Sequence, residues 1–522
     1  MKRLLLSFVL LPSVSLIPTL VQGRTSGPAR SQLRSEQPAE QRTNQVKEPK
    51  PDGELESIVG MAAGVPAEFG ADVLIRLAQS NKITQRSLKI ELLTRAFYLA
   101  ESAQQPVRLA ALAGTMVDTR SGYLGKAFDL ALDTQSLQSR AVGAMVALDP
   151  QNARKLFSKI RLPDLRLLSC DDALVYDLTS FYQTLTNLMN SGFTSKEKAE
   201  GVDLALLGPY AQSILFHAQA GPFAKLLDDV NVRARQRREM ADLFAGALGR
   251  VRGDARSFTA VLTIYKFDLL SSVTDLMTKL EATENFSPAL VVAVRAYLVA
   301  NSQCERCADM FFGGQDPKSL HEPVQHFNEW LARSGHSQEI APIDTDELKG
   351  AQIMPRPKYH QYWQSPAAKS LLTGIKGLRW GGRDGTTRLS LDERRSLAWD
   401  FQLTDYLKQL ESWSAEDEDS PADFFHQKCV LYDGLVELVP EKSQRVKIIS
   451  SVVRFLELNT FQTESRIEWF LHVEGLFSMA ATASDEALTE VTQALLRSRS
   501  PTLSLYARLE RWAPQHLHSA SQ

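Results

Sequence analysis

The chain has 522 residues, 44% of them apolar, enough for a large buried core and for more than one domain. Its formal net charge of −2 gives no excess of cations to suit a nucleic acid or another polyanion. After the first two dozen residues no apolar run is long enough to span a bilayer.

The opening stretch, MKRLLLSFVLLPSVSLIPTLVQG, has the order of an export signal. Lys2 and Arg3 form a charged lead, Leu4 to Val21 an apolar stretch, and Val21 and Gly23 suit the cleavage pattern. This predicts a signal peptide over 1–23, a mature chain from Arg24, and a periplasmic or extracellular protein. An uncleaved anchor is the alternative; Pro12, Pro18 and the short length argue against it. Residues 24–53 are rich in Gln, Glu, Arg, Ser and Pro and almost lack apolar side chains. Such a stretch buries too little surface to offset its chain entropy, which predicts a disordered linker.

From Leu55 onward helical periodicity dominates. Leu92, Leu93, Ala96, Phe97 and Ala100 fall on one stripe of a helix. Asp149, Ser287, Ser365, Ser420 and Ser500 each precede a proline, the order of an oxygen cap followed by a residue with no N–H to leave unpaired. Thr194 to Glu197 and Ser390 to Glu393 have capping-box spacing. The predicted fold is therefore all-α, with paired antiparallel helices in an irregular α-solenoid or helical array. SLQSRAVGAMVALD followed by PQNARKLFSKI reads as one hairpin of it.

This pattern resembles the helix-pair repeats of HEAT and tetratricopeptide proteins over Leu55 to Phe312, without a fixed period or consensus residues. The resemblance implies stacked helix pairs with long exposed surfaces for binding another protein. All seven tryptophans lie at or after Trp330, and the stretch 313–358 is rich in Pro, Gly, Asp and His. These shifts predict a helical-repeat-like domain over 54–340 and a second, looser helical domain over 356–522.

Chemistry-bearing residues are few. Cys304 and Cys307 form a C-x-x-C pair, and in an exported chain this spacing predicts a local disulfide. A redox partner role is the alternative, but the preceding SPALVVAVRAYLVAN reads as a helix rather than the strand of a redox fold. Ala308 stands where a c-type haem site needs His, and no second C-x-x-C completes a zinc site. His321 and His326 are one residue too far apart for a metalloprotease helix, and Pro323 breaks the register. No metal or cofactor is expected. The arginines from Arg233 to Arg256 alternate with Glu239, Asp242 and Asp254 and read as a solvated helix face. Glu464 and Ser465, with Gly475 and Leu476 beyond, faintly resemble the catalytic stretch of soluble lytic transglycosylases. That resemblance implies a single general acid, and the loop that should follow it is missing.

The most site-like segment runs from Tyr359 to Asp384. Tyr362, Trp363, Trp380, Arg383 and Asp384 combine aromatic faces with a cation and an acid beside a glycine turn, a set suited to a polymer or protein surface. The favoured function is an exported, non-enzymatic helical scaffold or binding protein for another protein or an envelope polymer. An exported all-α hydrolase or lyase acting on carbohydrate is the alternative.

Overall fold

Caps and prolines start the helices largely where the sequence places them. Asp149, Ser365 and Ser420 each accept a hydrogen bond from the N–H three residues on, and a proline opens each helix. Ser287 caps in the same way through the Leu290 N–H. Thr194 forms the expected capping box with Glu197. Two positions differ. Ser500 makes no side-chain cap, and Ser390 with Glu393 closes only a short turn, the helix proper opening at Leu397 under a cap from Ser396.

The computed structural model describes residues 53–111, 119–255, 269–302, 306–307, 322–348, 353–354, 363–381, 387–417, 420–459 and 466–516. The predicted signal peptide and linker lie outside these residues. The fold is all-α. Its first helices are α1 (Gly53–Ala62), α2 (Ala67–Gln79), α3 (Arg86–Ala100), α4 (Arg120–Asp129), α5 (Thr134–Val146) and α6 (Pro150–Phe157). They are followed by α7 (Thr179–Ser191), α8 (Ser195–Ala199), α9 (Val202–Gln212), α10 (His217–Asp229), α11 (Ala234–Leu248), α12 (Leu269–Ala282), α13 (Pro288–Ser302) and α14 (Glu322–Ser334). The last are α15 (Pro366–Arg379), α16 (Leu397–Ser412), α17 (Pro421–Leu438), α18 (Lys442–Leu458), α19 (Arg466–Ala483), α20 (Asp485–Leu496) and α21 (Pro501–Trp512).

Strand content among the described residues is limited to three two-stranded pairs. β1 (Leu109–Ala111) lies antiparallel to β2 (Leu174–Tyr176). β3 (Arg306–Cys307) lies parallel to β4 (Ile353–Met354). β5 (Trp380–Gly381) lies antiparallel to β6 (Thr387–Arg388).

Neighbours in sequence become neighbours in space for much of the chain. α2 packs on α3, α3 on α5, α5 on α7, α7 on α10, α10 on α12 and α12 on α14. The predicted α5–α6 hairpin is present, and α9, α11 and α13 pack in succession. The C-terminal helices run through α15, α17, α19, α20 and α21, and then α21 packs on α1 and α2 while α19 packs on α4. The N-terminal helices thus stand in the middle of the packing order, with helices from both sides of the 340–356 stretch against them. Gly70 allows part of this crowding, since a Cβ there would collide with the Ala62 carbonyl of α1.

One apolar cluster runs through these contacts from Leu55 to Ala513. Between α2 and α21 it encloses charge. Asp72, with no exposed surface, receives Arg76 at 2.8 Å, Arg140 at 2.6 Å and the Tyr506 hydroxyl at 2.9 Å. Arg76 continues to Glu474 at 2.7 Å, and His516 lies between Glu474 at 3.1 Å and Glu510 at 2.9 Å. Burial pulls the His516 pKa down, but the two carboxylates outweigh it and raise it to about 9. Its contribution to stability is therefore complete below pH 6.5, the unfolded value, and is lost as pH rises through 9. We expect thermal melts to show roughly 2–3 kcal/mol of stability lost between those limits. His516→Gln should flatten that limb; an alkaline decline unchanged in the variant would show that another group causes it.

Candidate functional site

Of the aromatic segment singled out by sequence, the structure describes only Trp363 and Trp380. Tyr362, Arg383 and Asp384 lie outside the described residues, as do Cys304 and the side chain of Cys307. Trp363 is 8% exposed and belongs to the core, so it is not a surface contact. Trp380 is 39% exposed. The two lie on either side of α15, a 14-residue helix about 21 Å long, Trp363 before it and Trp380 just after it. Close spacing in sequence was misleading because the intervening residues wind into a rod. Trp399 and Trp413, at 3% and 5% exposure, are buried.

Other sequence leads resolve as structure. Arg235 pairs with Glu239 and Arg238 with Asp242 along α11, while Arg237 turns inward to the Leu227 and Val230 carbonyls. The arginine-dense stretch is thus tied to its own neighbours. Glu464 and Ser465 lie outside the described residues, and from Arg466 the transglycosylase-like stretch is one helix with no loop. Among the described residues no group of three or more His, Cys, Asp or Glu is placed to hold a metal ion, and no helix is long and apolar enough to cross a membrane.

A buried polar cluster lies where α4, α17 and α19 meet. His426 Nδ1 is 3.1 Å from His472 Nε2, and His472 Nδ1 is 3.6 Å from Asp433 Oδ2. The Tyr123 ring covers His426 with centroids 3.7 Å apart, and its hydroxyl donates to the Glu468 carbonyl. Arg120 clasps both oxygens of Asp423 at 3.0 Å. Burial, then His472 and Lys126, hold the His426 pKa well below its ordinary value, so this imidazole is neutral. Burial and Asp433 push the Cys429 thiol up, which leaves it protonated and unreactive. The cluster joins the N-terminal helices to the C-terminal ones. Its two histidines are only 9% and 4% exposed, too enclosed to meet a substrate of any size.

The concave site is elsewhere. A cleft of about 730 Å³ opens between the end of α3, the first turns of α5 and the segment 158–163 after α6. The volume is in the range that holds a small ligand or a few units of a polymer. Tyr98 offers a ring 44% exposed. Lys159 donates to the Tyr98 hydroxyl at 2.7 Å, and Arg161 stands on the same wall. Gln135 and Gln138 come from α5, and Glu101 is the acid of the set.

The first turn of α5 carries unfilled hydrogen-bonding capacity. Asp133 caps the helix through Oδ1 to the Ser136 N–H at 2.9 Å, but its Oδ2 is buried without a hydrogen-bond partner. Burial raises its pKa to about 6, against the opposing pull of its hydrogen bonds and of Arg108. Gln135, 3% exposed, leaves its Nε2 equally unpartnered. Buried polar atoms are nearly always paired, so the Gln135 amide in the cleft wall is left with hydrogen-bonding capacity to spare, and Asp133 just behind the wall adds a second such group at the start of α5. An aromatic face, two amides, two cations and one carboxylate make a surface for holding a polar chain. There is no second lining carboxylate to complete an acid–base pair.

Sequence reasoning missed this cleft because its walls come from three segments spread over some sixty residues. Tyr98, Gln135 and Gln138 belong to no motif that would single them out. The chain matches no protein-family model, no curated protein and no solved structure, which leaves the geometry of the cleft as the guide to its ligand.

Proposed function

We propose that the protein is an exported, non-enzymatic binding protein whose cleft between α3, α5 and the 158–163 segment holds a stretch of acidic polysaccharide. The unpartnered Gln135 Nε2 in the cleft wall carries this reading. A small rotation of that amide presents a donor to a sugar hydroxyl or carboxylate, and Gln138 stands one turn away. The Tyr98 ring supplies a face for a pyranose, while Lys159 and Arg161 suit the carboxylate of a uronic acid. Binding rather than turnover follows from the single lining acid. A protein exported as its opening stretch leads one to expect would meet envelope polysaccharides.

The test is titration calorimetry of the full chain with tetragalacturonate and with a neutral tetrasaccharide of similar size. The acidic ligand should bind about tenfold more tightly, since one favourable ionic contact is worth ~1–2 kcal/mol. Arg161→Ala should remove that preference, and Tyr98→Ala should weaken both ligands, with melting temperatures unchanged. Binding indifferent to both substitutions would place the ligand elsewhere. Hydrolysis of either sugar would replace the binding role with the enzymatic one.

A further inference from the structure

Three arginines gather around one carboxylate where the end of α15, the strand β6 and the end of α17 meet. Arg379, the last residue of α15, donates to Glu437 Oε2 at 2.6 Å. Arg388 of β6 donates to Glu437 Oε1 at 2.7 Å. Arg394, in the short turn after β6, donates to the Leu438 carbonyl at 2.8 Å, next in the chain to Glu437. Gly434 lets α15 come this close to α17, since a Cβ on it would meet Ile375 at 2.8 Å. Glu437 stands about one turn further along α17.

The group is short of negative charge. Among the described residues Glu437 is the single acid paired with Arg379 and Arg388, and Arg394 has no acid of its own. Two positive charges are therefore left over. Each of the three side chains spends one hydrogen bond of the five a guanidinium can donate. The Arg394 Nε is buried without a hydrogen-bond partner. Burial, then the Arg388 charge, pulls the Arg394 pKa down against the opposing effect of Glu437. Arg395, the next residue, shows what a balanced cation looks like: it faces Glu441 at 3.7 Å.

The group is also open. The Arg388 side chain is 54% exposed and that of Arg379 33%. Trp380 lies directly across the β5–β6 ladder from Arg388, and cross-strand partners project to the same face. The exposed indole thus stands on the side of the ladder that carries Arg388.

We propose that Arg379, Arg388 and Arg394 bind a phosphate monoester, with Trp380 stacking on the ring that carries it. A phosphate monoester has about two negative charges at neutral pH, which matches the excess, whereas a carboxylate has one. The guanidinium fork meets two phosphate oxygens at once. Glu437, held between Arg379 and Arg388 by one oxygen each, fixes the two forks side by side without neutralising the group. None of these residues lines the cleft between α3 and α5, so the site is independent of the polysaccharide reading.

The test is titration calorimetry of the full chain with phenyl phosphate, inorganic phosphate and benzoate. Phenyl phosphate should bind at one site per chain, about fivefold more tightly than inorganic phosphate and at least about tenfold more tightly than benzoate. Arg388→Ala should weaken both phosphates about tenfold or more, and Arg388→Lys, which keeps the charge without the fork, should recover part of the loss. Trp380→Ala should bring phenyl phosphate down to the level of inorganic phosphate and leave the latter unchanged. Arg161→Ala, in the cleft, should alter neither phosphate; a loss there would move the anion to the cleft and overturn the proposal. Phosphate affinity unchanged in Arg388→Ala, or benzoate bound as tightly as phenyl phosphate, would also overturn it. Phenyl phosphate indifferent to Trp380→Ala would defeat the stacked ring.

Discussion

Asp72→Ala is expected to destabilise the protein by about 3–5 kcal/mol, measured by urea unfolding at pH 7. The carboxylate has no exposed surface and is shared by Arg76, Arg140 and Tyr506. Burial drives its pKa up, but the two guanidinium groups more than offset this, so it stays charged and its pKa lies below the usual carboxylate value. Its contribution is thus present above about pH 4 and is lost as pH falls through the lowered value. Removing it leaves two cations facing each other in a largely dry space, with only Glu474 to balance Arg76. The penalty comes chiefly from those stranded charges, since a buried pair replaced as a whole by apolar groups is often neutral. Glu91→Ala is the control. Glu91 meets Arg95 at 3.8 Å in the open, where a pair contributes at most about 0.5 kcal/mol. Equal effects of the two substitutions would mean that water reaches Asp72 and that the cluster does not hold α2 to α21.

That cluster also marks how far the sequence can be read. The α2 stretch AEFGADVLIRLAQ shows its helix plainly, and Asp149-Pro150 or Ser420-Pro421 announce a helix start, because periodicity and caps are local physics. The burial of Asp72 is not local. It depends on Arg140 from α5 and on Tyr506, 434 residues away, and no pattern within α2 distinguishes this aspartate from an exposed one. The packing order was hidden for the same reason. A reading that advances from one helix to the next places α1 at an end, whereas α21 returns to cover it.

The candidate sites divide along the same line. Tryptophans attract attention as binding residues, yet a ring as large as Trp363 gains most from burial, and the core takes it. The cleft is made of Tyr98, Gln135, Gln138 and Arg161, which carry no motif and become a site only through the crossing of α3 and α5.

Trp399→Ala is expected to cost about 3–5 kcal/mol, whereas Trp380→Ala should change stability by less than about 1 kcal/mol. The two rings differ sharply in exposure, at 3% and 39%. Trp399 also has a bond to lose. Its Nε1 donates to the Leu378 carbonyl at 3.0 Å, in the last turn of α15, where helix carbonyls have no partner of their own. The indole thus both fills the space between α15 and α16 and caps α15 from the side. Trp399→Phe separates these roles. It retains most of the apolar ring and removes the donor, so it should cost about 1–2 kcal/mol, the value of one buried hydrogen bond left unmade. Trp380 lies just past the same helix, where its backbone pairs with Arg388 and its ring meets solvent, so truncation leaves no cavity. The expected order of melting temperatures is wild type and Trp380→Ala together, then Trp399→Phe, then Trp399→Ala. A Trp399→Phe variant as stable as wild type would show that packing alone fixes α16 on α15. If Trp380→Ala melted as low as Trp399→Ala, the Trp380 ring would have to be covered in the folded protein rather than exposed beside α15.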